Sequence, residues 1–427
     1  MVAKRIAVFV MGRSPWLNGT LRQENTRARW IIRWPSNYFH PSLVCLLSRP
    51  SDRPTSNIRA YQVFSAVARE QRQRRQFLTD QVKLVGLAVA TPEHVIMQSE
   101  AKEMAARLFS DRYREFKPLS RVFDNAGITK RHSARPLSWF SEPHAWKDRL
   151  AAYAEVASTL FVEATTRALD HAGLTAADID CIVTVSSTGF ATPSLEARLA
   201  VQMGFRADIE RVPVFGLGCA AGVSGFAIAT RMARGRPGAT VLFVAIELCS
   251  LSFRLDAPTK PNIIATALFG DGAAACILRA GPGGLAEVET TGEHLFPDTL
   301  GIMGWQIDDA GFGIILEQSL PPFAEAEVGP AIASILARSG LALSDIDRFI
   351  CHPGGAKVLV ALEATFGLEP GSLDHERAVI AEYGNMSSPT VLFVLERAIA
   401  AGLPERSAMV AMGPGFTASC VTLKRVA

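Results

Sequence analysis

Three side chains in this sequence have the chemistry to work together on a thioester: a cysteine between small residues, a histidine ahead of two glycines, and an asparagine after one. Cys219 sits in RVPVFGLGCAAGVSGFAIATRMA (211–233), where residues 212–215 read as a short buried strand closed by Gly216 and Gly218. Small residues then lead into apolar ones at helical spacing, Val223, Phe226, Ile228, Ala229 and Met232. A strand that turns sharply into a helix presents Cys219 at the helix start, where free N–H groups and the dipole favour thiolate over thiol. The plainer reading is a core cysteine, since free cysteine is among the most buried residue types. A thiolate needs a base or cation, and His352 can be either. Acyl transfer also needs donors for a developing oxyanion, which the Asn385 amide and a histidine N–H can supply. The same pair could hold the enolate left when a malonyl thioester loses CO2. Taken singly, His352 also reads as a core histidine at a strand end, and Asn385 as a turn residue.

What brings the three together is an internal repeat. GLTAADIDCIVTV (173–185) matches GLALSDIDRFICH (340–352) at an offset of 167, and RVPVFGLGC (211–219) lies over RAVIAEYGN (377–385) at 166. VLFVAIE (241–247) overlies MVAMGPG (409–415). Two halves of helix–turn–strand–helix–strand–helix–strand order predict a duplicated α/β unit, each with a largely parallel sheet flanked by helices. On this register Cys219 and Asn385 occupy equivalent strand-to-helix turns, and His352 ends its strand where Val185 ends the matching one. Open α/β sheets place ligands at such strand ends.

The remaining sequence narrows the class. The chain has 427 residues, 48% apolar and 20% charged, which suits a globular protein with a large core. No run approaches the ~18 apolar residues of a membrane helix. Seven scattered cysteines, with no CxxC and no Cys/His cluster, argue for a reducing compartment and against a zinc site or disulfide scaffold. The glycine-rich stretches at 270–272 and 281–284 lack the context of a nucleotide-binding loop. Net charge is +3, but residues 1–80 carry 14 Lys+Arg against 4 Asp+Glu, leaving the remainder at −7. The chain thus divides into a basic, poorly ordered extension (1–80), helical only over 60–81, a half carrying the cysteine (81–280) and a half carrying His352 and Asn385 (281–427). The extension also has the composition of a transit peptide or a nucleic-acid or membrane-surface arm. A strand is predicted from Val82 and a long amphipathic helix over 149–172.

GCAAG (218–222), HPGG (352–355), YGNMSS (383–388) and GPGFT (413–417), in this order and spacing, resemble the type III polyketide synthases. These are the chalcone-synthase-like branch of the thiolase superfamily, and the likeness runs from about Val82 to the C-terminus. The resemblance implies an αβαβα layered fold of two halves related by a pseudo-two-fold, in a cytoplasmic homodimer. It also implies no bound cofactor or metal, no nucleic-acid partner and no membrane span. In that family a Cys-His-Asn triad loads an acyl-CoA starter, decarboxylates malonyl-CoA repeatedly and joins the units by Claisen condensation, without an acyl carrier protein. Cys219, His352 and Asn385 fall on those positions.

The resemblance assigns further residues. Phe269 in ALFGDGAA (267–274) matches a gatekeeping phenylalanine between CoA tunnel and cavity; the second gate falls near Ile314, with Phe312 close by. Ser187, Thr188, Cys249 and Ser252 match cavity-lining positions, joined by Gly413 and Pro414 of GPGFT. Thr192 matches a residue that reaches into the partner's cavity. Arg121 matches a CoA-phosphate contact, whereas Asn125 replaces a lysine for which Lys117 or Lys130 could substitute. Segments 247–254, 260–275 and 303–316 look most like bacterial alkylpyrone and alkylresorcinol synthases, implying long fatty acyl starters. Aromatic or short starters are the alternative within the family. A ketoacyl-carrier-protein synthase III is disfavoured by HPGG and GPGFT. A thiolase would need a second cysteine, for which Cys420 is the candidate, and retention of all three site residues opposes an inactive scaffold.

Overall fold

A strand buried at every position must be covered on both faces, and Cys181–Val185 and Thr240–Leu248 are of that kind. The computed structural model describes residues 20–23, 30–33, 81–317 and 319–426. Contacts divide the chain into Met1–Gln76 and Phe77–Ala427. In the first unit, Thr20–Gln23 pairs antiparallel with Trp30–Arg33; the rest of the expectations for 1–80 lie outside the described residues.

The first half of the second unit runs β1 (Val82–Ala90), α1 (Gln98–Phe109), α2 (Trp146–Ala172), β2 (Cys181–Val185), α3 (Leu195–Met203), β3 (Glu210–Val214), α4 (Ala221–Gly235), β4 (Thr240–Leu248), α5 (Lys260–Leu268) and β5 (Asp271–Ala280). The second half runs β6 (Ala286–Leu295), β7 (Met303–Asp308), β8 (Gly311–Leu316), α6 (Leu320–Ala337), β9 (Arg348–Cys351), α7 (Ala356–Thr365), α8 (Asp374–Tyr383), α9 (Thr390–Ala400), β10 (Arg406–Gly413) and β11 (Thr417–Arg425). One nine-stranded sheet links them in the order β9-β10-β11-β6-β1-β5-β4-β2-β3. The halves join where β6 meets β1 through Ala286 opposite Leu84 and Glu287 opposite Lys83, with a Lys83–Glu287 ion pair on the seam.

Along β4 the side chains alternate between two cores. Val241, Phe243 and Ala245 face inward with Phe226 of α4; Leu242, Val244 and Ile246 face outward with Phe161 and Ala164 of α2. In the second half, Met409 and Ala411 of β10 face inward, while Ala408, Val410 and Met412 meet Ile332 and Leu359 on the outer face. Helices α4 and α9 lie between the two inner faces and touch strands of both halves. The result is the five-layer αβαβα arrangement.

The predicted repeat is visible as β2 with β9, α3 with α7, and β4 with β10. Two expectations need correction. The sheet is not largely parallel: β2 runs parallel to β3 and β4, and β9 to β10, but the other five pairings are antiparallel. Moreover, RAVIAEYGN does not form the strand that RVPVFGLGC does. Its Arg, Ala and Glu residues favour the helix α8, whereas Val-Pro-Val resists one. The strand expected to be buried is the sheet's edge, exposed or half-buried at every position, with Phe215 beyond it 48% exposed.

Candidate active site

The nucleophile's turn is built by close packing. From β3 the chain passes through one 3-10 turn, Gly218–Ala220, into α4, so Cys219 stands at the helix entry as the sequence predicted. Gly218 has a left-handed φ of +48°, and a Cβ there would lie 2.6 Å from Pro414 Cδ. Its N–H donates to Ser187 Oγ at 3.0 Å. Gly413, at the end of β10, packs against Ala220, so the GPGFT segment walls the turn from the second half. Cys219 is buried, and its Sγ donates to Ser387 Oγ at 3.3 Å. Ser387 holds a left-handed φ of 58°, unusual for a residue with a side chain.

From Ser387 the contacts run on to the other two residues. The Ser387 N–H donates to Asn385 Oδ1 at 2.8 Å, and Asn385 Nδ2 donates to the Gly354 carbonyl at 3.1 Å. Gly354 N–H in turn donates to the His352 carbonyl at 3.0 Å. Asn385 follows α8 and Gly384, so it reaches the site from a helix end rather than from the strand end first expected. Its main chain is clamped by Leu268 O and Gly270 N at 2.8 and 3.0 Å, beside Phe269. His352 follows directly on β9 and is buried, and neither ring nitrogen has a hydrogen-bond partner among the described residues. An imidazole and one N–H of the Asn385 amide are therefore free to meet a bound molecule.

Burial dominates the electrostatics. It pushes the Cys219 thiol up to about 12; the Ser387 hydrogen bond opposes this, and the buried Glu247 carboxyl adds to it. Burial likewise pulls His352 down to about 4. Burial of both groups thus favours their uncharged forms, against the pull of the helix start on the sulfur. Glu247, in the otherwise apolar β4, accepts from Ser187 N at 2.9 Å, Thr188 Oγ1 at 2.7 Å and Ser388 Oγ at 3.1 Å. It anchors Ser187 and, through it, the turn at Gly218.

Beside Phe269, whose main chain pairs with Asn385, lies a pocket of about 580 Å³ including the open solvent at its mouth; none of Cys219, His352 and Asn385 lines it. Of the cavity and gate residues expected from the sequence, Cys249, Ser252, Phe269 and Ile314 line it, whereas Ser187, Thr188, Gly413 and Pro414 do not; Ile96, Ala101, Met104 and Phe140 give it an apolar wall. Phe312, by contrast, is buried against Trp146, with ring centroids 4.9 Å apart, and does not line the pocket. Thr192 is exposed and precedes a cis peptide bond to Pro193; Arg121 is exposed at the start of the short helix Arg121–Asn125.

Sequence reasoning missed Ser387, Glu247, Trp305 and the α1 wall. A charge inside an apolar strand could have flagged Glu247. Trp305 lies opposite Ile314 across the β7–β8 ladder, so both share one face over the pocket. Among the described residues no cluster of three or more His, Cys, Asp or Glu could hold a metal ion, and no helix is long and apolar enough to cross a membrane.

Known proteins share this arrangement. Residues 69–282 match chalcone and stilbene synthases, N-terminal domain, and residues 287–427 match the C-terminal domain. A 1,3,6,8-tetrahydroxynaphthalene synthase of Streptomyces peucetius is 41% identical over 343 residues, covering 78% of this chain and 91% of the relative. An alpha-pyrone synthesis polyketide synthase-like protein of Mycobacterium tuberculosis is 32% identical over 349 residues, covering 78% and 88%. The crystal structure of the 1,3,6,8-tetrahydroxynaphthalene synthase of Streptomyces coelicolor, a bacterial type III polyketide synthase, superposes with a TM-score of 0.77 at 33% identity, covering 81% of this chain and 99% of that one. The chain belongs to the chalcone and stilbene synthase family, and it is a type III polyketide synthase, an acyl-transferring enzyme on the thiolase fold.

Proposed function

We propose that this enzyme loads a long-chain fatty acyl-CoA on Cys219, extends it with several malonyl-CoA units and closes the product to an alkylpyrone or alkylresorcinol. The observation that carries the starter class is the apolar side of the pocket, where Ile96, Ala101, Met104 and Phe140 line the same cavity as Cys249. Each methylene buried there contributes about 0.8 kcal/mol, so a long hydrocarbon gains more from this wall than a polar starter does.

His352 takes the Cys219 proton, and the thiolate attacks the starter carbonyl. The tetrahedral oxyanion collapses, expelling CoA thiolate, which leaves with the proton from His352. Malonyl-CoA then binds with its thioester oxygen on Asn385 Nδ2 and the His352 N–H, and loss of CO2 leaves an enolate on that oxygen. The enolate carbon attacks the Cys219 thioester, sulfur departs as thiolate, and the extended acyl-CoA returns to Cys219 for the next round. Phe269 and Ile314 form the gate, and Arg121 meets the CoA phosphates, with Lys117 or Lys130 in place of the lysine that Asn125 replaces. The active form is a homodimer in the cytoplasm. Its support is the open edge of β3, flanked by exposed Phe190 and Phe215, with Thr192 nearby in sequence to serve the partner's cavity.

The two Streptomyces relatives, named as 1,3,6,8-tetrahydroxynaphthalene synthases, favour a second reading in which the product is a hydroxylated naphthalene without a long alkyl chain. One incubation separates the two. Purified enzyme is given labelled malonyl-CoA with a starter panel from acetyl-CoA to long-chain acyl-CoA, and the products are read by mass. Labelled products carrying the long alkyl chain support the first reading; a hydroxylated naphthalene, with long starters ignored, replaces it by the second.

A further inference from the structure

The His352 ring is oriented by no side-chain hydrogen bond among the described residues, so its place is set by the main chain that presents it. On one side this main chain is secure: the His352 N–H donates to Val410 O of β10 at 2.8 Å. The neighbouring Cys351 N–H points to the opposite edge of β9. In the first half, the corresponding edge of β2 is filled by β3, register-paired from Cys181 opposite Glu210 to Val185 opposite Val214. In the second half α8 stands in that position, and a helix cannot extend a ladder.

One side chain of α8 does the strand's work. Glu376 is fully buried, and its Oε1 accepts the Cys351 N–H at 2.9 Å. Its Oε2 has no hydrogen-bond partner; the nearest cation is Arg348 Nη2 at 3.7 Å, itself shared with Asp374. Burial pushes this carboxyl up to about 7, so the site is a poor one for an acid. Packing alone would be served better by an apolar residue, and the function left for a carboxyl here is acceptance of the strand-edge amide.

We infer that Glu376 is a positioning residue: by accepting the Cys351 N–H it fixes the strand end from which His352 is presented to Cys219. The inference rests on the reading of His352 as the base of the reaction.

The test compares two conservative variants of the full chain. Glu376→Gln keeps the reach and an acceptor oxygen but loses the charge; Glu376→Asp keeps the charge and loses the reach. Glu376→Gln retains most of the wild-type rate. Glu376→Asp lowers kcat about tenfold with KM for malonyl-CoA unchanged, as expected for a displaced catalytic group. It also shifts the pH midpoint at which iodoacetamide inactivates Cys219, because that midpoint reports the imidazole's place beside the sulfur. Damaged folding alone would lower the amplitude of labelling at an unchanged midpoint, and that result overturns the inference. So does a Glu376→Asp variant with wild-type kinetics, or a Glu376→Gln variant impaired as deeply as Glu376→Asp. A His352→Ala control separates the two claims. If it still makes polyketide, the active-site reading fails; if it is inactive while both Glu376 variants match wild type, only the positioning role fails.

Discussion

The two halves of this enzyme repeat one another wherever the repeat carries load and part company where it carries chemistry. Asp180 and Asp347 do the same task. The Asp180 carboxylate accepts the Thr240 N–H that opens β4, and that of Asp347 accepts the Arg406 N–H that opens β10. In contrast, the segment after α3 is the strand β3, which delivers Cys219 to a helix start, while the segment after α7 is the helix α8, which delivers Asn385 to a clamp between Leu268 and Gly270. A nucleophile gains from the free N–H groups of a helix entry. An amide that must donate gains from a fixed main chain. One ancestral plan serves both needs only after one half gives up a strand.

The hardest way to break this comparison is to remove the first half's contribution. Cys219→Ala lowers polyketide formation at least about a thousandfold, since no other thiol stands at the helix entry. Release of CO2 from malonyl-CoA continues in that variant, because His352 and Asn385 both belong to the second half. Asn385→Ala stops both reactions. Labelled CO2 and product are counted in the same assay; loss of CO2 release with Cys219→Ala would mean that the halves do not divide the labour.

Next in size is the seam between the central helices. Gly222 of α4 sits where α9 begins, and a Cβ there would collide with the Ser388 carbonyl oxygen and lie 2.6 Å from Val391 Cγ1. Since the colliding atom is backbone, Gly222→Ala costs about 2–4 kcal/mol. Denaturant midpoints measure this, and an unchanged midpoint would show that the helices can slide apart freely.

How far the sequence foretold these features depends on the range of the forces behind them. The matches at 173–185 and 340–352 foretold β2 and β9 because hydrophobic burial leaves a period in the residues themselves. The three candidate side chains, Cys219, His352 and Asn385, could be singled out because each lies close to glycines in a turn. Strand direction was not, since antiparallel β1 and β5 are buried on both faces just as parallel β2 is. The helix α8 was hidden by aligning RAVIAEYGN to a strand, although Ala and Glu spoke for a helix. Ser387 and Glu376 went unseen because their partners lie 168 and 25 residues away.

A pH titration sharpens the comparison on a smaller scale. Burial raises Glu247 in the first half and Glu376 in the second to about 7, from an ordinary 4.5. A folded state that binds its proton more tightly than the unfolded chain is favoured at low pH. The contribution is complete below about 4.5 and is lost as pH rises through about 7. Each group thus contributes a fall on the order of 3 kcal/mol across that window. Glu247→Gln removes its share of the slope, with a constant loss from the donors it leaves facing Ser187 and Thr188. Urea unfolding at a series of pH values tests this; an unaltered slope in the variant would rule out Glu247 as a source.

The smallest effect is the most direct measure of how alike the halves remain. Asp180 and Asp347 make the same pair of contacts: each N–H donates to the first carbonyl of its strand, Thr240 or Arg406, and each carboxylate accepts that residue's N–H, at 2.9 and 2.8 Å. They differ in surroundings. The Asp180 side chain is 17% exposed and also takes Arg206 at 3.0 Å, whereas Asp347 is exposed. Asp347→Ala should cost about 1 kcal/mol, the net worth of one hydrogen bond, and Asp180→Ala about 2, because there the strand's amide is left with less access to water. Sharing no partner, the two should add within about 0.5 kcal/mol in the double variant. A larger cost at Asp347 would show that exposure does not set the weight of this contact. A double variant that departs from the sum would show that the β1–β6 seam carries strain from one half to the other, and the halves would then have to be treated as one folding unit.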